Sequence, residues 1–272
     1  MVPSTPIAPT SPPFVPPRTI PPDRWPEPLP IEAIIFDVDG TLAETEEAHR
    51  TAFNRAFAEA TLDWHWSVDD YRALLGTTGG RERIGRYMAE QNLAPDTSLV
   101  AALHERKNVI YGELVESGGV VPRPGIVSLI EAARGSGIAL AIATTTSRSN
   151  LSSLLAHVFG AAASDGFSTI VTGEDVVNKK PDPEVYQRAL SGLGQSAQAC
   201  LAIEDSRNGL LAARAAGLFT VVTPSRYSCH EDLSGASLLV MTSDGDHGGI
   251  ELVTLRARFG EARGLGKHGK VV

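Results

Sequence analysis

Asp37 and Asp39 stand two residues apart at the end of a short apolar run, Ile34-Ile35-Phe36. In an extended chain, residues i and i+2 share a side, so both carboxylates face whatever lies above the strand end. Two charges that close repel unless a cation sits between them or one holds a proton. A nucleophilic carboxylate beside an acid–base carboxylate, with Mg²⁺ neutralising the cluster, satisfies that constraint. Gly40 and Thr41 then let the backbone turn tightly beside the pair. A solvated turn carrying two aspartates is the plainer account of these residues taken alone.

Three more stations follow. Thr144, Thr145 and Thr146 close the apolar run Ile138–Ala143, where a hydroxyl and the backbone N–H groups of an opening helix can hold a phosphate. Lys179 and Lys180 precede Pro181 and supply a cation just before a helix. Glu204 and Asp205 close the run Cys200–Ile203 and offer the hard oxygens that Mg²⁺ prefers. Singly, these are a solvated lysine pair, strand filler and an acidic helix cap. Together they stand at successive strand ends, which such accidents do not explain.

The elements that must position these residues alternate in kind. Strands are expected at 34–36, 138–143, 169–172, 200–203 and 219–222, with a weaker one at 238–241. Helices are expected at 124–136, 150–159, 183–193, 206–216 (ended by Gly217) and 249–258. Nearly all-apolar strands alternating with helices predict an α/β fold: a Rossmann-like, doubly wound parallel sheet covered on both faces. In such sheets the site lies at the carboxyl ends of the strands. Residues 45–118 break the alternation and read as helix and loop only. Helices are expected at 44–60, from a Ser67 N-cap to about Leu75, at 81–91 and at 95–116, the last with Leu99, Leu103, Val109, Ile110 and Leu114 as core contacts. The expected division is a core of 31–44 and 119–260, a small helical cap of 45–118, and tails at 1–30 and 261–272.

The 272-residue chain carries a formal charge of −8, which argues against nucleic acid or an anionic membrane as a partner. Its substrate, if anionic, needs a local cation. No apolar run approaches the roughly 20 residues that span a bilayer. Cys200 and Cys229 read as one buried and one surface thiol in a reducing compartment. The first thirty residues hold Pro3, Pro6, Pro9, Pro12, Pro13, Pro16, Pro17, Pro21, Pro22, Pro26, Pro28 and Pro30. A leader so rich in proline forms neither helix nor ladder and is expected to be a disordered or polyproline-II tail. The cytoplasm is the expected location, or a plastid should the leader be a targeting segment; the chain is expected to be a monomer.

The four stations, in this order and at these distances, resemble the haloacid dehalogenase superfamily over roughly residues 31–258. That resemblance implies a phosphoryl-transfer enzyme using Mg²⁺. Residue by residue it implies Asp37 as the nucleophile and Asp39 as the acid–base. It implies Thr144 as a phosphate ligand and Lys180 as the counter-charge. The metal would be held by Asp37, Asp39 (through its backbone carbonyl), Glu204 and Asp205. Within the superfamily, 42–49, 77–84 and 143–147 resemble the CbbY-type proteins. These act on xylulose-1,5-bisphosphate, an inhibitory by-product of Rubisco, which would place the reaction beside the Calvin cycle. The family pattern often has lysine where Arg81 stands. Gly79 and Gly80 before a helix, with Arg81, suit a second phosphate; Glu46 and His49, one turn apart, could grip sugar hydroxyls. Thr77, Thr78, Thr145 and Thr146 complete the expected substrate contacts. A β-phosphoglucomutase-like mutase and a phosphosugar-binding regulator are the alternatives, although a regulator has no need of both aspartates.

A proline-rich leader contributes little to a core. A chain starting near Glu27 is therefore expected to fold and keep its catalytic constants. A large fall in melting temperature or kcat/KM on truncation would show that the leader packs on the rest.

Overall fold

The computed structural model describes residues 30–241 and 250–263. The expected leader, the expected start of the last helix at Gly249 and most of the expected C-terminal tail lie outside them. The sheet contains β1 (Ala33–Phe36), β2 (Ala139–Ala143), β3 (Thr169–Val171), β4 (Cys200–Glu204), β5 (Phe219–Val222) and β6 (Leu238–Leu239). Its order is β3-β2-β1-β4-β5-β6, and each neighbouring pair is parallel. The chain leaves β1 in one direction to β2 and β3 and returns on its other side to β4, so β1 borders the point where the winding reverses.

Alternation along the strands fixes two cores. Ile34 and Phe36, Leu140 and Ile142, and Leu201 and Ile203 face one side with α5 (Ile126–Gly135), α6 (Arg148–Leu154) and α9 (Leu252–Ala262). Ala33 and Ile35, Ala141 and Ala143, and Cys200 and Ala202 face the other side, against α7 (Glu184–Leu193) and α8 (Arg207–Ala215). The second face is built mostly from small residues, so α7 and α8 sit close to the sheet. Register then does the functional work: Phe36 is opposite both Ile142 and Ile203. Asp37, Ala143 and Glu204 therefore leave the sheet at one level, with the Asp37 amide bonded to the Ile203 carbonyl at 3.0 Å.

Between β1 and β2 lie α1 (Glu46–Glu59), α2 (Val68–Leu74), α3 (Gly80–Glu90) and α4 (Thr97–Glu116). Phe53, Phe57, Trp66, Tyr71, Leu74, Ile84, Met88 and Leu103 form a separate apolar cluster here. Trp66 rings lie 4.7 and 4.8 Å from those of Phe53 and Phe57. Tyr227, from the segment after β5, is the one contributor to this cluster from outside the insert. Ser67 and Asp70 form a reciprocal capping box that starts α2.

Several expectations need correction. The first helix begins at Glu46, because Thr45 turns its hydroxyl away from the helix end and toward Asp39. The helix expected from 95 starts at Thr97, where Asp96 accepts the Leu99 amide. Val109, expected in the core, is 51% exposed; the buried stripe of α4 runs through Leu103, Lys107, Ile110 and Tyr111 instead. The sixth strand is only two residues long, and Met241 is exposed beyond it. Glu261 and Ala262, expected in the tail, form the last turn of α9. The thiols are as expected, Cys200 buried and Cys229 exposed.

Candidate active site

One open cavity of about 430 Å³ lies between the carboxyl ends of the strands and the helical insert. Its floor comes from β1. Asp37 is buried and receives Lys180 Nζ at 2.6 Å; the same ammonium reaches Glu204 Oε1 at 2.7 Å. Tyr186 donates to that Glu204 oxygen as well, and its ring lies 5.1 Å from Lys180 Nζ. One ammonium thus serves two carboxylates. Its proton is held more firmly than usual: burial works against the charge, but Asp37 and Glu204 outweigh it. Asp37 is pushed up to about 7, by burial first and by Glu204 and Asp39 beside it, with Lys180 opposing. Asp205 is raised too, by burial and then by Asp37 and Glu204.

Oxygens of Asp37, Glu204 and Asp205 lie within 4.8 Å of one another. Ser228 donates to both the backbone and side-chain oxygens of Asp205, at 2.8 and 3.0 Å. Gly40, at φ +76°, leaves room for this carboxylate: a Cβ there would fall 2.4 Å from Asp205 Oδ2. Three buried carboxylates, the Lys180 ammonium beside them and the raised proton affinities of Asp37 and Asp205 are the features of a hard-cation site, and these oxygen donors fit Mg²⁺. Glu204 is fully buried and held by Lys180, Tyr186 and the Asp205 amide, so it backs the cluster and Asp37 and Asp205 face the cavity.

Asp39 lives in a different environment. Its Oδ1 accepts Thr45 Oγ1 at 2.6 Å and meets His49 Nε2 at 3.0 Å. Behind it, His49 Nδ1 lies 2.8 Å from Lys107 Nζ, and the imidazole stacks on Tyr111 at 4.0 Å. An ammonium only donates, so Nδ1 accepts and Nε2–H points to Asp39. Burial would raise the Asp39 pKa, but His49 and Thr45 outweigh it and the carboxyl stays below its usual range. Burial pushes His49 down, helped by Lys107. Burial also brings Lys107 down to about 7. The side chain of Asp39 is thus turned to this chain of groups and not to the carboxylate cluster. Both nitrogens of His49 are engaged, which corrects the expectation that it grips a sugar.

The remaining expected residues divide. Thr144 is buried; its hydroxyl accepts the Thr146 amide at 3.2 Å and keeps its own proton to donate. Thr145, Thr146, Thr78, Gly79, Gly80, Arg81 and Glu46 line the cavity. Glu46 accepts the Tyr71 hydroxyl at 2.7 Å, and that hydroxyl accepts Arg83 at 2.8 Å. Thr78 donates to the Lys180 carbonyl, tying the insert to the backbone of the lysine that reaches Asp37. Thr77 is outside the lining, near Arg86 at 3.4 Å. Lys179, the lesser lysine, pairs with Glu82 at 2.7 Å. Glu82 sits against Gly79, so the start of α3 already carries the chain's own carboxylate. An anion in the cavity would therefore meet side chains more than a bare helix end.

Lys107, Thr45, Tyr186, Ser228 and His104 are part of the arrangement and carry no site motif in the sequence. Lys107 had a signal: it occupies a core position, four residues after Leu103 and three before Ile110, where an apolar residue is expected. Tyr186 likewise sits on the buried face of α7 between Val185 and Ala189.

Known proteins share this architecture. The model of the family described as haloacid dehalogenase-like hydrolase matches residues 31–217. The chain is 52% identical over 206 residues to Protein CbbY of Rhodobacter capsulatus, covering 76% of this chain and 91% of that one. It superposes, with a TM-score of 0.75 and 46% identity, on an aspartate-to-asparagine variant of CbbY from Rhodobacter sphaeroides in complex with xylulose-1,5-bisphosphate, covering 77% of this chain and 93% of that one. A β-phosphoglucomutase from Clostridium difficile shares the fold, with a TM-score of 0.71 at 24% identity over 85% of this chain and 98% of that one. This chain belongs to the haloacid dehalogenase-like hydrolases and is an enzyme of the phosphatase type among them.

Lys107 yields a prediction in which stability and activity part. Its pKa is lowered from 10.5 to about 7, so between those values the unfolded chain binds more protons than the folded one. The contribution therefore opposes folding at neutral pH and fades as pH rises toward 10. Lys107→Met is expected to stabilise the fold by about 1–4 kcal/mol at pH 7, as when buried charge gives way to apolar volume. It is also expected to lower kcat about tenfold or more by freeing the Asp39–His49 geometry. A lower melting temperature with unchanged kcat would contradict this account of the group.

Proposed function

We propose that this enzyme is a Mg²⁺-dependent phosphatase that removes one phosphoryl group from a sugar bisphosphate, with xylulose-1,5-bisphosphate as the favoured substrate. The observation that carries the reading is that two sets of polar and charged groups line one cavity. Asp37, Asp205 and Lys180 form the first end; Arg81 and Lys179, close enough for their charges to act on His104, form the other with it. A small monophosphate needs only the first end. The xylulose-1,5-bisphosphate complex of the Rhodobacter sphaeroides relative supports the choice of sugar.

In this mechanism Asp37 attacks the phosphorus in line, forming an aspartyl-phosphate as the P–O bond to the sugar breaks. Asp39 gives its proton to the departing sugar oxygen. It then takes a proton from the water that attacks the aspartyl-phosphate, and inorganic phosphate leaves. The hydroxyl of Thr144 and the ammonium of Lys180 bind the phosphoryl oxygens. Asp37 and Asp205, with Glu204 behind them, would hold Mg²⁺, which supplies charge neutralisation for the nucleophile and phosphoryl group. The like charge of an arriving phosphoryl group raises the proton affinity of Asp39, opposing the pull of His49 and Thr45. The helical insert acts as a cap: Thr45 and His49 bond Asp39 from it and Lys107 backs His49, so the acid–base is correctly oriented only when the insert is closed.

Phosphate release from a panel of mono- and bisphosphorylated sugars tests the class of reaction, and isomerisation of a sugar monophosphate would instead favour a mutase. Arg81 tests the substrate. It is exposed at the cavity mouth and makes no ion pair among the described residues. Arg81→Ala is expected to lower kcat/KM for xylulose-1,5-bisphosphate by about 10- to 150-fold, the ~1.5–3 kcal/mol of a charge-assisted contact. The loss for p-nitrophenyl phosphate is expected to be much smaller. Arg81→Lys falls between, since a point charge replaces a fork. Equal losses on both substrates would assign Arg81 to closure of the cap and remove the local support for a bisphosphate.

A further inference from the structure

His104 lies on α4, lines the cavity and makes no hydrogen bond among the described residues. Its imidazole is seated directly over Gly80, the first residue of α3: a Cβ there would fall 2.6 Å from Cδ2 and 2.8 Å from Nε2. Gly80 has ordinary backbone torsions, so no turn demands glycine at this position. What demands it is the approach of the ring. Arg81 of α3 and Lys179 of the segment before α7 also line the cavity, near enough for their charges to act on His104, and so does Lys107, one turn along α4. His49 of α1 and Glu82 of α3 complete the titratable groups that face this region.

We propose that His104 is a specificity residue: a neutral imidazole that donates its Nε2–H to the phosphate that is not transferred, beside Arg81. The inference rests on the bisphosphate reading of the cavity and adds to it a ligand that neither motif nor spacing pointed to.

Electrostatics favours a neutral donor here. Burial first, then Lys107, Arg81 and Lys179, press His104 down to about 3. A further fixed cation would meet repulsion from three others and pay a desolvation cost. A neutral N–H adds a directed hydrogen bond without that repulsion and with few rotamers to lose. Glu82 already occupies the start of α3 with Lys179 across from it, so a phosphate drawn to this end has Arg81 and His104 as its open donors. The seat over Gly80 fixes where the donor points.

The experiment compares kcat/KM for xylulose-1,5-bisphosphate and p-nitrophenyl phosphate in the full-length enzyme with Mg²⁺. His104→Ala is expected to lower the bisphosphate-to-monophosphate ratio about 10-fold or more, the scale of one hydrogen bond to a charged group. The change is expected mainly in KM, as for contacts made equally in ground and transition states. His104→Gln, which keeps an N–H donor, is expected to restore part of the ratio. Gly80→Ala keeps His104 but unseats its ring, and is expected to lower the ratio in the same direction. A ratio unchanged in both His104→Ala and Gly80→Ala, with the parent preferring the bisphosphate, overturns the role of His104 while sparing the bisphosphate reading. A parent that shows no preference for any sugar bisphosphate overturns both. A loss through kcat on both substrates alike assigns His104 to the architecture of the insert and also overturns the proposal.

Discussion

A surplus of buried negative charge governs this structure. Asp37, Glu204 and Asp205 converge where β1 and β4 end, and Lys180 is the ammonium bonded among them. Such a cluster is costly to bury unless further positive charge arrives. The fold is arranged to tolerate it. Central parallel strands fix the level at which the carboxylates leave the sheet, Tyr186 and the Asp205 amide satisfy Glu204, and Gly40 and Ser228 set the position of Asp205. The surplus is also what makes the place useful, because it favours a cation and, through the cation, a phosphoryl group.

The two aspartates of the first motif share a strand end but not an environment. Asp37 faces the carboxylates and Lys180; Asp39 faces Thr45 and His49 of the helical insert, with Lys107 behind His49. Their proton affinities are driven apart, one up and one down. Separate environments for adjacent carboxyls let the two groups take different protonation states, as the proposed division into nucleophile and acid–base requires. The insert therefore does more than shield the cavity. It supplies the groups that orient Asp39, ties itself to the Lys180 carbonyl through Thr78, and receives Tyr227 from beyond β5 into its own apolar cluster.

Much of this was legible in the sequence, and the legible parts share a cause. Strand positions followed from unbroken apolar runs, and the placement of Asp37, Thr144 and Glu204-Asp205 at strand ends followed from parallel-sheet topology. Lys180 over Lys179 came from the resemblance to known motifs and agrees with the geometry, since Lys179 is engaged with Glu82. Less legible were residues whose task depends on contacts far along the chain. Thr45 lies inside the helix expected at 44–60, and its hydroxyl is spent on Asp39. His49 looked like a sugar ligand because helical spacing gives its face but not its partner, and that partner, Lys107, is 58 residues away. Val109 was expected inside because apolar character alone does not say which stripe of a long helix is buried. The place of Glu82 at the start of α3 depends on its ion pair with Lys179, which lies far along the chain.

The central claim is that the carboxylate cluster is a cation site on which the phosphoryl chemistry depends. Isothermal titration of Mg²⁺ into the metal-stripped enzyme tests it most directly, with Asp205→Asn as the comparison. The account predicts saturable binding in the parent and a loss of that binding in the variant, since Asp205 is the cluster's open carboxylate beside Asp37. Absence of saturable Mg²⁺ binding in a parent that still turns over substrate in excess EDTA would contradict it.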